Sequence, residues 1–239
     1  MNGNARILNF GELAAVFALR EFAPAWIVAG ALAAGFALPA MPLLRHTCVA
    51  FALVLLLIGW LKLRGENMAT FGLIAPRWLV YAGFGLLLVV IQIGVDNVVR
   101  QYMTPLIVEW TGADPHLDAK TFASIKGNLP LFLMILPCVW AFAAFGEEFL
   151  YRGYLMTRLA QLMGESTLAW SVAVVGQAIA FALAHWYQGP VGMFSIAVGA
   201  VISGIATVAW GRNLWPAIVA HGLMDTIGFT MLYTGQPIS

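Results

Sequence analysis

The sequence predicts an all-α protein, a polytopic transmembrane helix bundle of about seven spans with interfacial helices, forming a single membrane-embedded domain over residues 1–239. Three observations predict it. Hydrophobic residues make up 62% of the chain and charged residues only 10%, where soluble domains carry roughly a quarter charged. The apolar runs are long and even, without the every-second-residue alternation of transmembrane β-strands. Basic or turn-forming residues bound the runs. A formal charge of +1, with no basic run or aromatic-basic patch, excludes nucleic acid as a partner class. Cys48 and Cys138 both lie in apolar runs and read as small buried hydrophobes rather than a disulfide. The N-terminus lacks the charged, apolar, small-residue order of a cleaved signal peptide.

Residues 6–20 place Phe10, Leu13 and Phe17 on one face, with Asn9, Glu12 and Arg20 elsewhere, as in a short helix lying in the interface or the start of the first span. The first span is expected from Pro24 to Leu44, ended by Arg45-His46, and the second from Thr47 to Leu61, closed by Lys62 and Arg64. Gly30 with Ala34, and Ala33 with Ala37, predict close helix packing in the first span. The third span runs from Trp78 to about Val99, with Asp96 read as a solvated or capping acid near its end. Residues 100–128 read as a surface loop holding one amphipathic helix that starts at Asp114-Pro115, with Phe122 and Ile125 toward the membrane. A fourth helix extends from Leu129 to about Met163, kinked at Pro137. The fifth is expected over Leu168–Trp186, the sixth over Val191–Trp210 and the seventh over Leu214–Tyr233. In the sixth, Ser195, Gly199 and Ser203 form a small-residue stripe that predicts close approach of another helix.

Lys and Arg are unevenly shared between the two sides. Arg6, Arg20, Lys62, Arg64, Arg77, Arg152, Arg158 and Arg212 fall on one, against Arg45, Arg100, Lys120 and Lys126 on the other. The positive-inside rule then sets the N-terminus in the cytoplasm and the C-terminus outside a plasma or inner membrane.

The chemistry concentrates in Phe145–Gly153, where Glu147, Glu148 and Arg152 interrupt an apolar run. Each such group opposes insertion by about 2.5 to 3.5 kcal/mol, so the three must face protein or water. Glu148 and Arg152 are four apart and form an ion pair on one face, which Glu147, about 100° around the helix, does not share. Two later helices repeat the spacing of four, Phe181 to His185 and His221 to Asp225. Singly, each has a packing explanation. Together they predict one shared site. There is no His-Glu-x-x-His, no Gly-x-Ser-Gly and no Gly-x-Gly-Asp, which excludes the zinc site-2, rhomboid and presenilin types of intramembrane protease.

Glu147-Glu148-x-x-x-Arg152-Gly153, Phe181-x-x-x-His185 and His221-x-x-x-Asp225, in this order, resemble the CPBP family, the CaaX proteases of the Ras-converting-enzyme type with their bacteriocin-linked bacterial relatives. Phe71-Gly72-Leu73 is similar to the family's lead-in, and the resemblance covers about residues 70–232. It implies an intramembrane endopeptidase acting on a membrane-associated or lipidated peptide or membrane protein within the bilayer. By the resemblance Glu147 activates water, His185 holds that water, His221 donates to the oxyanion, and Glu148 with Arg152 supports the polar turn. Asp225 stands where Asn is commoner; an ionised Asp only accepts, so it is expected to orient His221. The family has been described both as metalloproteases and as metal-free glutamate proteases. Glu147, His185 and His221 would be the ligands of a zinc ion, but the fixed charge of Arg152 nearby favours no cofactor. Two readings compete with catalysis: a non-catalytic membrane scaffold or bacteriocin-immunity protein on the same fold, and a proton-coupled transporter.

Counted from the cytoplasmic ends of the predicted spans, Glu147 lies roughly 16 Å deep, His185 roughly 26 Å and His221 roughly 10 Å. To meet, the fifth helix must begin below the bilayer with Trp170 near the interface, and the seventh inside a re-entrant segment at Asn213–Pro216, with a water-filled cavity reaching the site.

Overall fold

The computed structural model describes residues 11–16, 18, 42–74, 77–115 and 122–236, all of it helical or connecting, with no strand among the described residues. The helices are α1 (residues 11–16), α2 (Pro42–Leu63), α3 (Trp78–Thr111), α4 (Leu129–Leu162), α5 (Thr167–Ala184), α6 (Gly189–Ala209) and α7 (Trp215–Thr234). Among them α3, α4, α5 and α6 with its lead-in from Trp186 are long and apolar enough to cross a membrane. Large apolar side chains left exposed around the bundle, such as Leu56, Leu79, Val90, Leu168 and Leu183, make an outer surface suited to lipid.

Most of the expected first span, with its Gly30 and Ala33 pairs, falls outside the described residues. Arg45-His46 does not end a helix: α2 starts at Pro42 and passes through both, because Pro fits a first helical turn and charge alone does not break one. Helix α3 likewise outruns its predicted end at Val99. It continues through Asp96, Arg100 and Pro105 to Thr111, and stops at Gly112, a left-handed cap. The polar residues within it are tolerated because Arg100 Nε donates to Asp96 Oδ2, one turn back, at 2.7 Å. Asp114-Pro115 follow this helix, and the amphipathic helix expected to start there falls on residues 116–121, outside the described residues. Ile125 is fully buried against Ile135 and Val139, and Phe122 packs on Phe229, so this edge faces protein instead of lipid.

Helix α4 is organised in three parts, an α segment to Cys138, a π-helix over Val139–Leu155 and a closing α segment to Leu162. Asn128 caps its start, accepting from the Leu131 N–H at 3.2 Å. Pro137 sits just before the change to i→i+5 bonding, where the missing donor costs one hydrogen bond. The turn at Met163–Ser166 reverses the chain, and Ser166 Oγ caps α5 by accepting from Ala169 N–H at 3.2 Å. Helix α6 joins α5 through Gln177, fully buried, whose Nε2 donates to Ala200 O at 2.9 Å.

The start of α7 is set inside the protein. Leu214 is fully buried and its N–H donates to Gly72 O at 3.1 Å, with Gly72 at φ +85° making the turn that presents this carbonyl. A Cβ on Gly153 would lie 2.7 Å from the Phe71 carbonyl oxygen and 3.0 Å from Leu214 Cδ1, so glycine there permits the insertion. The Phe71-Gly72-Leu73 lead-in thus seats α7 beside α4. On the same side, Arg158 is buried with Nη2 2.7 Å from Glu66 and 3.4 Å from Glu12, while the Tyr154 hydroxyl donates to Glu12 at 2.8 Å. Glu12, expected away from the buried face of an interfacial helix, turns inward and ties α1 to α4.

Candidate active site

Helices α4, α5 and α7 bring their polar turns to one level. Leu214 sits beside Gly153, and α7 runs antiparallel to α4, so His221 returns to Glu148. In the α4–α5 hairpin His185, directly after α5, reaches the level of Glu147. The three polar turns meet because the start of α7, with Asn213 and Leu214 buried, is seated beside Gly153, well before the end of α4 at Leu162.

Glu148 and Arg152 are almost wholly buried, with Arg152 Nη1 3.1 Å from Glu148 Oε1. The same carboxylate oxygen lies 2.8 Å from His221 Nδ1, so that ring nitrogen donates to it. His221 Nε2 faces Asp225 Oδ2 at 3.6 Å, beyond hydrogen-bonding range. The orienting contact expected from Asp225 is thus made by Glu148, across 73 residues. His185 Nδ1 lies 2.8 Å from the Phe181 carbonyl oxygen, which can only accept; Nδ1 therefore carries the hydrogen. Its Nε2 turns to Glu147 Oε2 at 3.9 Å, a gap that one water can bridge.

Phe181 is the floor of the group. The Arg152 guanidinium lies 4.2 Å from its ring centroid, and His185 and His221 contact the ring at 4.6 and 6.2 Å. An aromatic face beneath the cation lowers the cost of burying it. Glu148 Oε2 and Arg152 Nε are buried without a hydrogen-bond partner among the described residues, so the polar turn retains bonding capacity.

A cavity of about 440 Å³ opens on this cluster. Glu148, Arg152, His185, His221 and Asp225 line it; Glu147 is not among its lining residues and joins the group through His185. The cavity continues along α3 past Gln92, Asp96 and Arg100. Ser195, Gly199 and Ser203 of α6 form its opposite wall. The small-residue stripe serves both this space and close helix packing: α3 approaches at Ser203, nothing lies within 4 Å of a Cβ built on Gly199, and α5 packs at Gly204. Sequence reasoning missed Gln92, whose Nε2 donates to Ser203 Oγ at 2.8 Å, and the inward role of Asp96. The one available signal was the i, i+4 spacing of Asp96 and Arg100.

Glu147, His185 and His221 are not gathered as a zinc site: among the described residues no three His, Cys, Asp or Glu side chains converge on a metal position.

No curated protein and no solved structure matches the chain. Residues 129–227, from the start of α4 into α7, match the family model described as type II CAAX prenyl endopeptidase Rce1-like, and all six residues of the cluster fall inside that match. Over these residues, somewhat less than half of its length, the chain is similar to the Rce1-like CAAX prenyl endopeptidases.

Proposed function

We propose that the protein is an intramembrane endopeptidase that hydrolyses a peptide bond of a membrane-associated or lipidated peptide, with Glu147 as general base. The observation that carries this reading is the 3.9 Å space between Glu147 Oε2 and His185 Nε2, beside a His221 ring held by Glu148. A water there directs one hydrogen to each acceptor and a lone pair toward the cavity. Glu147 takes a proton as the oxygen bonds to the scissile carbonyl carbon. His221, carried as the imidazolium between Glu148 and Asp225, donates Nε2–H to the oxyanion. On collapse the carbonyl reforms, the C–N bond breaks, and the proton held by Glu147 passes to the departing amine. No metal takes part in this scheme.

The prenylated cysteine motif in the family's description is the first substrate class to test. The basic-residue asymmetry supports a multi-pass plasma or inner membrane protein with its N-terminus in the cytoplasm and C-terminus outside.

Glu147→Gln keeps the size of the side chain and removes the base. In proteoliposomes with a quenched farnesylated peptide, we expect cleavage to fall by about 10²- to 10⁴-fold. Cleavage within a few-fold of the parent would reject Glu147 as base. An immunity or scaffold phenotype that survives Glu147→Gln at equal expression would select the non-catalytic reading.

A further inference from the structure

Helix α7 is gripped beside the catalytic cluster by a side chain that the proposed chemistry does not use. Trp140 is the second residue of the π-helical part of α4. A Cβ on Gly222 would lie 2.6 Å from its Cε3 and 2.7 Å from both Cδ2 and Cζ3. Near-equal distances to three consecutive ring atoms mean that the backbone meets the face of the indole, not its edge. The Trp140 Nε1–H donates to Thr226 Oγ1 at 3.1 Å, and the Thr226 hydroxyl donates in turn to the Gly222 carbonyl oxygen at 2.6 Å. One ring thus holds two successive turns of α7.

Gly222 and Thr226 each follow a member of the His221–Asp225 pair by one residue. The face that Trp140 holds therefore stands about 100° around α7 from the face that carries the histidine. On that second face Glu148 Oε1 accepts from His221 Nδ1 at 2.8 Å. A helix held at one point can still turn about its axis; held on two faces so far apart, it cannot. Gly153 with Leu214 seats the start of α7 but leaves this rotation open. The rotation matters because the histidine ring lies about 5–6 Å from the helix axis, where a turn of about 20° displaces it by about 2 Å. A misplacement of about 1 Å at a reacting centre already costs about 10²-fold.

We propose that Trp140 is a positioning residue for His221: together with Glu148 on the adjacent face, it fixes the rotation of α7 at which His221 Nε2–H points to the oxyanion. This rests on the peptidase reading. Trp140 does not line the cavity, so its effect falls on kcat and not on substrate binding. The ring face on Gly222 carries most of that effect, since the indole N–H makes a single neutral hydrogen bond. Trp140 is 37% exposed, so removing it opens a notch at the surface instead of a sealed void.

The test is a double-mutant cycle between Trp140 and Gly222, read on full-length protein in proteoliposomes with the quenched farnesylated peptide. Trp140→Ala should lower kcat about 10- to 100-fold with KM within about threefold, while Trp140→Phe, which keeps a ring face, should stay within about threefold of the parent. Gly222→Ala should lower kcat about tenfold in the parent, although alanine is the better helix former, and less than about twofold once Trp140→Ala has removed the clash. Trp140→Leu serves in the cycle if the alanine variant does not fold. A second measurement needs no turnover. In ¹⁵N-histidine-labelled protein in micelles, the Nδ1–H resonance of His221, assigned by its loss in His221→Gln, should move in Trp140→Ala and in Gly222→Ala but not in Trp140→Phe. Additive losses across the cycle, a change confined to KM, or an unmoved His221 resonance in Trp140→Ala would overturn the proposal. Parent and Glu147→Gln proteins cleaving at equal rates would instead overturn the peptidase reading, leaving the His221 resonance to decide whether Trp140 sets the rotation of α7.

Discussion

His221 stands between two carboxylates at unequal distances, 2.8 Å from Glu148 and 3.6 Å from Asp225, and the inequality divides their roles. Glu148 fixes the ring; Asp225 supplies charge without a direct hydrogen bond. Asp225→Asn and Asp225→Ala both remove that charge and should therefore lower kcat/KM alike, by about tenfold, while Glu148→Gln lowers it about 10²-fold. Activity kept by Asn and lost by Ala would instead give Asp225 a hydrogen-bonding, positioning role. Arg152 is a separate case, since it balances a carboxylate that is almost wholly buried. Arg152→Met strands that charge, at a cost of about 3–5 kcal/mol, which thermal unfolding in detergent would read as a fall of several degrees. At this scale the Glu148–Arg152 and His221–Asp225 pairs were legible because both members share a helix. The Glu148–His221 bond was not, because it joins residues whose relation depends on how two helices dock.

Helix α4 is the element that carries the site, and its π-helical middle separates it from an ordinary span. Widened turns of this kind recur at functional sites, and here the widened part runs from Val139 to Leu155, through Glu147, Glu148 and Arg152. Residue spacing does not announce it, since a run of apolar residues suits i→i+4 and i→i+5 bonding alike. The second requirement on α4 is Gly153, against which the Phe71 carbonyl and Leu214 pack. Gly153→Val should push the start of α7 outward and destabilise the protein by about 1–3 kcal/mol. Because α7 carries His221, kcat should fall as well; unchanged kcat and melting would show that α7 is not seated there. The same limit explains the stripe on α6. Its spacing identified one face with room beside it, which α3 fills at Ser203 and the cavity fills at Gly199.

Across the whole molecule, charge decides orientation and apolar surface decides solvent. Arg152 and Arg158 are buried in ion pairs, so neither acts as a loop charge. Arg100 is likewise paired, with Asp96 inside α3, and Arg6, Arg20, Lys62, Arg64, Arg77 and Arg212 still outnumber Arg45, Lys120 and Lys126. In a variant with Cys48 and Cys138 replaced by Ala, Cys introduced at Thr111 should react with a membrane-impermeant maleimide in intact cells, and Cys at Glu165 only after lysis. The reverse pattern would invert the topology. The donor geometry around His221 likewise predicts that cleavage survives exhaustive treatment with EDTA and phenanthroline, whereas loss restored by zinc would establish a metalloenzyme.

By itself the sequence determined the membrane class, the helical character, the polar turns on three helices and the family they resemble. Those are properties of composition and of spacing within one helix, where a step of four residues returns to the same face. Only the tertiary structure decided that Glu148 rather than Asp225 holds His221, that Asp96 and Arg100 face a shared cavity, and that α7 starts deep enough for its histidine to meet the α4 carboxylates. Depth and rotation of one helix against another are set by contacts such as Leu214 with Gly72 and Gly153, which lie far apart along the chain.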